Sequence, residues 1–158
     1  AHLKLAEMEQ AGKLSAIVTQ NIDGLHQAAG SKNVFELHGS VHRNYCQKCG
    51  KFFDVNYVVN AKGVPYCDEC GGIIKPDVVL YEEGLDSQTI NGAVRAISKA
   101  DMLIIGGTSL VVYPAAGMID YFKGKYLAVL NRDATSRDKQ ADLCITDPIG
   151  EVLGRIRV

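Results

Sequence analysis

No apolar run in the 158 residues approaches the roughly 18 that a membrane-spanning helix needs. The first residues lack the basic-then-apolar pattern of a secretory signal. Charge of one sign is not in excess either, since 17 Lys and Arg stand against 18 Asp and Glu for a formal net charge of -1. Such a balance gives no general attraction for nucleic acid. The G-x-G-x-x-G dinucleotide fingerprint, internal repeats and low-complexity tracts are all missing. Five cysteines is an odd number in a chain long enough to bury a core of its own, which argues against a disulfide framework. Together these absences predict a cytoplasmic protein, with no membrane or direct nucleic-acid partner, whose reduced thiols serve metal binding or thiol chemistry.

What is present alternates between two textures. Leu3, Leu5, Ala6, Met8 and Ala11 recur at helical spacing before Gly12, and residues 15–19 form a β-branched apolar run of the kind buried in a parallel sheet. A short helix over 25–30 and a strand over 34–37 follow. From about residue 41 to 75, aromatics, lysines, glycines and paired cysteines replace the apolar runs. The first texture then resumes with a helix over 87–99, strands over 102–105, 126–130 and 143–146, a helix over 115–122 and a last helix from about Ile149. Strands alternating with helices predict an α/β fold with a doubly wound, Rossmann-like parallel sheet. The sheet is built from residues 1–40 and 76–158 and carries an inserted module over 41–75. Ligands of such sheets sit at the C-terminal strand ends, so chemistry belongs in the loops after Thr19, Leu37, Ile105, Leu130 and Thr146.

Cys46-x-x-Cys49 and Cys67-x-x-Cys70 enclose 17 residues, a spacing that suits a four-cysteine zinc ribbon. A redox dithiol pair is the competing reading, but it has no need of a second pair at this separation. Four thiolates complete a tetrahedron around Zn2+ and leave no open position, so the metal is structural. Cys144 lies in an apolar strand and reads as a small core residue.

Gln20, Asn21, Ile22 and Asp23 crowd two amides and a carboxylate onto one turn after the first strand; taken alone, an Asx turn capping a helix accounts for them better than chemistry does. His38 stands at a strand end beside Gly39, where neutral imidazole suits a general base and a structural histidine is the alternative. His2, His26 and His42 lack that placement and are assigned no chemistry. Gly106, Gly107, Thr108 and Ser109 offer N–H groups and hydroxyls to phosphate or ribose oxygens. Asn131 and Arg132 occupy either a ribose-gripping position or an ordinary turn.

These pieces, in this order, resemble the sirtuin family of NAD-dependent protein deacylases. The shared motifs are residues 19–23, residues 35–39, the four cysteines, Pro76-Asp77-Val78-Val79, Gly107-Thr108-Ser109-Leu110 and Tyr113-Pro114-Ala115-Ala116, which span essentially the whole chain. The resemblance implies that His38 is the catalytic base and that Gln20, Asn21, Ile22 and Asp23 border the nicotinamide and its ribose. It implies that Gly107, Thr108, Ser109, Asn131, Arg132, Asp147 and Pro148 hold the rest of NAD+, a consumed co-substrate. It further implies that Val78, Val79, Leu80 and Tyr81 pair with the backbone of an acyl-lysine peptide or protein, where an internal edge strand is the bland alternative. Many relatives end this segment in aromatic-Gly-Glu, whereas here it reads Tyr81-Glu82-Glu83.

The family also begins with a strand and a Gly-Ala-Gly loop that do not occur in this sequence. The expectation is therefore an N-terminally incomplete sheet and a chain that by itself binds NAD+ poorly and turns over weakly or not at all. A non-catalytic, zinc-containing peptide-binding module is the alternative reading.

Overall fold

The computed structural model describes residues 1–158. The chain opens with helix α1 (His2–Gln10), whose end is closed by two hydrogen bonds from Gly12 N–H to Glu9 O and Lys13 N–H to Met8 O. This pairing satisfies carbonyls that the helix itself leaves unpaired. Strand β1 (Ile17–Thr19) follows, then the short α2 (Leu25–Ala28) and β2 (Val34–Glu36), which pairs in parallel with β1 from Ile17 opposite Val34 to Thr19 opposite Glu36.

Strand β3 (Gly39–Cys46) starts immediately afterwards and is the middle of an antiparallel sheet between β4 (Phe52–Phe53) and β5 (Ile74–Val78). The Asp54 carboxylate accepts the Tyr57 N–H and caps α3 (Val55–Val59). The core of this part is small, with Cys46, Phe53, Cys67 and Ile74 as its buried members. Two of those four are metal-ligand candidates, so apolar burial alone holds this sheet weakly.

Helix α4 (Ser87–Lys99) begins at Asp86, whose carboxylate accepts the Thr89 N–H, and buries Ala93 and Ile97 on one face. Three parallel strands complete the chain: β6 (Met102–Gly106), β7 (Tyr126–Leu130) and β8 (Leu143–Ile145), in that spatial order, with α5 (Ile149–Gly154) last. Leu127, Ala128, Val129 and Leu130 of β7 are all buried, as a central strand with both faces covered requires.

The Rossmann-like α/β class is as expected, but the parallel strands form two sheets rather than one: β1 pairs only with β2, and β6 only with β7. A shared core spans the division, in which Leu37, Ala93, Ile97, Ala115 and Met118 are packed by Val18 of β1, Phe35 of β2 and Leu103 of β6. Two local expectations are corrected. Ala115–Tyr121 forms a 3-10 helix instead of an α-helix, in a stretch that carries the poor helix former Gly117. Cys144 is exposed, because β8 has a neighbour on one side only and turns Leu143 and Cys144 to solvent. No helix is long and apolar enough to cross a membrane.

Candidate functional site

His38 follows β2 directly, and its backbone is held from two sides. The Leu37 N–H donates to Thr19 O, and the Val79 N–H donates to His38 O at 3.1 Å. Next to it, Gly39 has φ +78, and a Cβ there would lie 1.9 Å from Asp77 O. Only glycine lets β3 approach β5 this closely, which draws residues 76–79 against the histidine. The half-buried imidazole places Nδ1 at 3.0 Å from Gln20 O. A carbonyl oxygen can only accept, so Nδ1 carries the proton and Nε2 is left with a lone pair.

The polar turn after β1 is anchored in the same neighbourhood. Gln20 Nε2 donates to Thr108 Oγ1 at 3.3 Å and joins the ends of β1 and β6 across the division between the two parallel sheets. Asn21 N–H donates to Thr19 Oγ1 and Leu25 N–H to Asp23 Oδ1, so the Asx turn of the bland reading exists beside the functional arrangement. Thr108 Oγ1 also accepts the Leu110 N–H, and Leu110 has φ +55, a conformation uncommon for a residue with a side chain. Ser109 is exposed beside it. Asn131 and Arg132 lie just beyond β7, with Asn131 Nδ2 donating to Asp133 O; Asp147 and Pro148 are exposed between β8 and α5. Hydroxyls, amides and a guanidinium therefore lie at the C-terminal ends of β1, β6, β7 and β8. This donor set suits a substrate carrying ribose hydroxyls and phosphates.

Val78 ends β5, and Val79, Leu80 and Tyr81 continue from it; Leu80 and Tyr81 are exposed. Strand β5 pairs with β3 on one side and presents a free edge on the other. The Glu83 carboxylate closes the turn by accepting the Leu80 N–H at 2.9 Å and Lys75 Nζ at 3.3 Å, and these contacts hold its pKa below the usual value. Glu82 has φ +71.

The four cysteine Sγ atoms lie within 4.8 Å of one another, with Cys46 and Cys70 at 3.4 Å and Cys49 and Cys67 at 3.7 Å. Ligands at about 2.3 Å from a tetrahedral Zn2+ are about 3.8 Å apart, so the cluster is close to the size that ion needs. A Cβ at Gly72 would lie 2.8 Å from Cys46 Sγ, which keeps the second knuckle free of a side chain where the thiols converge. The Cys46 thiol is pulled down to about 6, chiefly by the backbone N–H of Cys49. Cys49 is pushed up to about 12; the Lys51 N–H acts against this, while the Cys70 thiol, burial and the other two thiols raise it. Thiols so close cannot all ionise without a cation between them. Lys51 Nζ bridges Asp68 and Glu69 at 2.7 and 2.8 Å and ties one knuckle to the other.

Two residues that the sequence left without a role sit among these groups. The ladder between β3 and β5 slips: Ser40 faces Asp77 and Asn44 faces Pro76, so residues 41–43 bulge out. From that bulge the Val41 N–H donates to Ile22 O, and His42 Nε2 lies 2.9 Å from Asp23 O. Arg43 donates from Nη1 to Glu36 Oε2 at 2.7 Å and from Nε to Asp77 Oδ2 at 2.8 Å. A polar run inside an apolar-poor module carries no signal of such contacts. Two cavities lie away from these groups: neither the one of about 510 Å³ lined by Tyr57, Val64 and Tyr66 nor the one of about 380 Å³ lined by Asp120, Arg137 and Asp142 includes a predicted site residue. An open strand edge and loop ends enclose little volume until a ligand covers them.

A sequence model described as the Sir2 family matches residues 1–114. An NAD-dependent protein deacetylase of Clostridium acetobutylicum is 66% identical over 154 residues, covering 97% of this chain and 63% of that protein. A protein of the same description from Clostridium perfringens is 66% identical over 157 residues, covering 99% of this chain and 64% of its own length. The chain thus spans slightly less than two thirds of these curated relatives. Among solved structures, a Sir2 with a p53 peptide and NAD+ superposes with a TM-score of 0.90 at 39% identity, covering 98% of this chain and 66% of that one. A Sir2 bound to an acetylated peptide has the same TM-score at 38% identity, covering 98% and 67%.

Proposed function

The chain belongs to the Sir2 family, and on that footing we propose that it carries the site of an NAD-dependent protein lysine deacetylase or deacylase. The acyl group of an acyl-lysine passes to ADP-ribose and nicotinamide is released. One observation carries the reading: the His38 Nδ1 proton is committed to Gln20 O, which leaves Nε2 as a base on a ring held at a strand end. In the reaction the acyl-lysine carbonyl oxygen attacks the ribose carbon that bears nicotinamide, and His38 Nε2 removes a proton from a ribose hydroxyl.

Gln20, Asn21, Ile22 and Asp23 border the nicotinamide ribose in this reading. Gly107, Thr108, Ser109, Asn131, Arg132, Asp147 and Pro148 hold the remainder of the dinucleotide. The free edge of β5 and the exposed Leu80 and Tyr81 support Val78, Val79, Leu80 and Tyr81 as the strand that an acyl-lysine peptide joins. Cys46, Cys49, Cys67 and Cys70 hold one Zn2+, which has no open position and supplies folding energy rather than chemistry. The module of residues 41–75 is the unit that this ion organises, between residues 1–40 and 76–158 that build the NAD side. A chain with this many reduced thiols belongs in the cytoplasm.

The test is nicotinamide release from NAD+ and an acetylated peptide, by this protein and by its His38→Ala variant. The proposal expects a loss of at least about 10²-fold with peptide affinity retained. Equal, measurable release by both proteins defeats it, and peptide binding with neither release nor any NAD+ binding in the parent favours a non-catalytic peptide-binding module. Weak or absent turnover by these 158 residues, expected from the resemblance, is read in the same assay.

A further inference from the structure

The bulge at residues 41–43 leaves one side chain with two anionic partners on two different strands. Arg43 reaches back to Glu36 on β2, two residues before His38, and forward to Asp77 on β5, one residue before Val78. The partners are 7 and 34 positions away in sequence. The Glu36 side chain is only 8% exposed, so the first bond is shielded from solvent, while Asp77 is 45% exposed. Arg43 itself lies on β3, which runs on to Cys46 of the metal cluster. A guanidinium presents several N–H donors in one rigid plane, so a single residue can fix both the spacing and the orientation of two carboxylates, which the point charge of an ammonium on a flexible stem holds less rigidly.

We infer that Arg43 is a positioning residue that sets the distance between the His38 strand and the peptide-pairing segment. It touches neither reacting atom. It acts through Glu36 on one side and through Asp77 on the other, where the Val79 N–H to His38 O bond is the backbone link that it keeps closed. The inference rests on the deacylase reading for its kinetic consequence only, since the link itself is a property of the folded chain. The Asp77 arm governs where the peptide docks and leaves the base and the dinucleotide loops in place. Loosening it therefore raises the peptide KM while kcat and the KM for NAD+ hold.

The variants are Asp77→Asn, which opens one arm and leaves the shielded Glu36 compensated, Arg43→Lys, which keeps the charge but not the fork, and Asp77→Glu, which restores a carboxylate. Asp77→Asn and Arg43→Lys are each expected to raise the peptide KM about tenfold, with kcat and the NAD+ KM within about twofold; the double variant is no worse than either, because both remove one link. Asp77→Glu recovers most of the loss. Hydrogen exchange at the Val79 amide, read without any turnover, quickens in the first two variants and slows again in the third. Unchanged peptide KM and unchanged Val79 exchange in Asp77→Asn overturn the inference. A fall in kcat together with a rise in both KM values also overturns it, because that marks a general loss of structure. If the parent releases no measurable nicotinamide, the KM comparison drops out and Val79 exchange alone decides the role of Arg43, separately from the deacylase reading.

Discussion

His38 Nδ1 donates to the backbone oxygen of Gln20 across 3.0 Å, and the Gln20 side chain donates onward to Thr108. One residue thus orients the ring with its main chain and reaches the second parallel sheet with its side chain. A backbone acceptor cannot be exchanged by mutation, so the tautomer is built into the path of the chain after β1. Long-range proton–nitrogen correlation of the His38 ring at neutral or mildly alkaline pH is expected to show the proton on Nδ1. A dominant Nε2–H form contradicts the assignment of Nε2 as base.

Gly39→Ala combines a left-handed φ with a Cβ at 1.9 Å from Asp77 O. The conformational cost alone is about 1–2 kcal/mol, and relief of the overlap must come from separating β3 and β5. A loss of more than about 2 kcal/mol in urea unfolding is expected, together with weaker peptide binding. A variant as stable as the parent removes the close approach from the account of the site.

Glu82→Gly works in the opposite direction. Glu82 has φ +71 with no contact that demands glutamate, so glycine relieves strain while it adds freedom to the unfolded chain. The net expectation is a gain of up to about 1 kcal/mol in denaturant unfolding. Destabilisation by glycine means that the Glu82 side chain makes a favourable contact.

Metal removal is expected to act far beyond the cysteines. With Zn2+ bound, thiol titration should count one reactive group, the exposed Cys144, and after chelation five. The small core around Phe53 and Ile74 then loses its cross-link, and β3 and β5 loosen on both sides of His38 and Val79. Peptide affinity should fall at least about tenfold on chelation; unchanged affinity in a metal-free sample breaks the link between the module and the free edge of β5.

Acid should open the turn at the end of the peptide segment. The Glu83 pKa is lowered, chiefly by the Leu80 N–H it accepts, from an ordinary value of 4.5. A depressed folded-state value contributes stability that is fully present above pH 4.5 and is lost as pH falls through the lower folded value. Exchange at the Leu80 amide, corrected for its intrinsic pH dependence, is expected to rise below about pH 4.5. In Glu83→Gln that step disappears, and a step that persists assigns the opening to another group.

How much of this was legible in advance divides by distance along the chain. Helix α4 runs over the expected residues because Asp86 caps it and its apolar positions repeat at helical spacing, both local causes. The thiol cluster was equally legible, since each Cys-x-x-Cys knuckle forms within four residues and only their meeting is long-range. His38, Gln20 and the polar loops were placed by a rule about strand ends, which needs the order of elements but not their contacts. The exposure of Cys144 escaped that reading because an apolar strand has the same pattern whether it ends as an edge or a centre. That Val18 and Leu103 meet in one core across the two parallel sheets escaped it as well, because that contact depends on the packing of distant elements.

The sequence by itself determined the local elements, the metal-ligand set and the residue types at the strand ends, because these depend on propensity, spacing and side-chain chemistry. Only the tertiary structure decided that His38 Nδ1 meets Gln20 O, that β3 slips its register against β5, and that Arg43 joins Glu36 to Asp77. The three hydrogen bonds among those contacts close loops of 7 to 34 residues. Its partner is chosen by the packing of whole strands, for which neighbouring residues carry no signature.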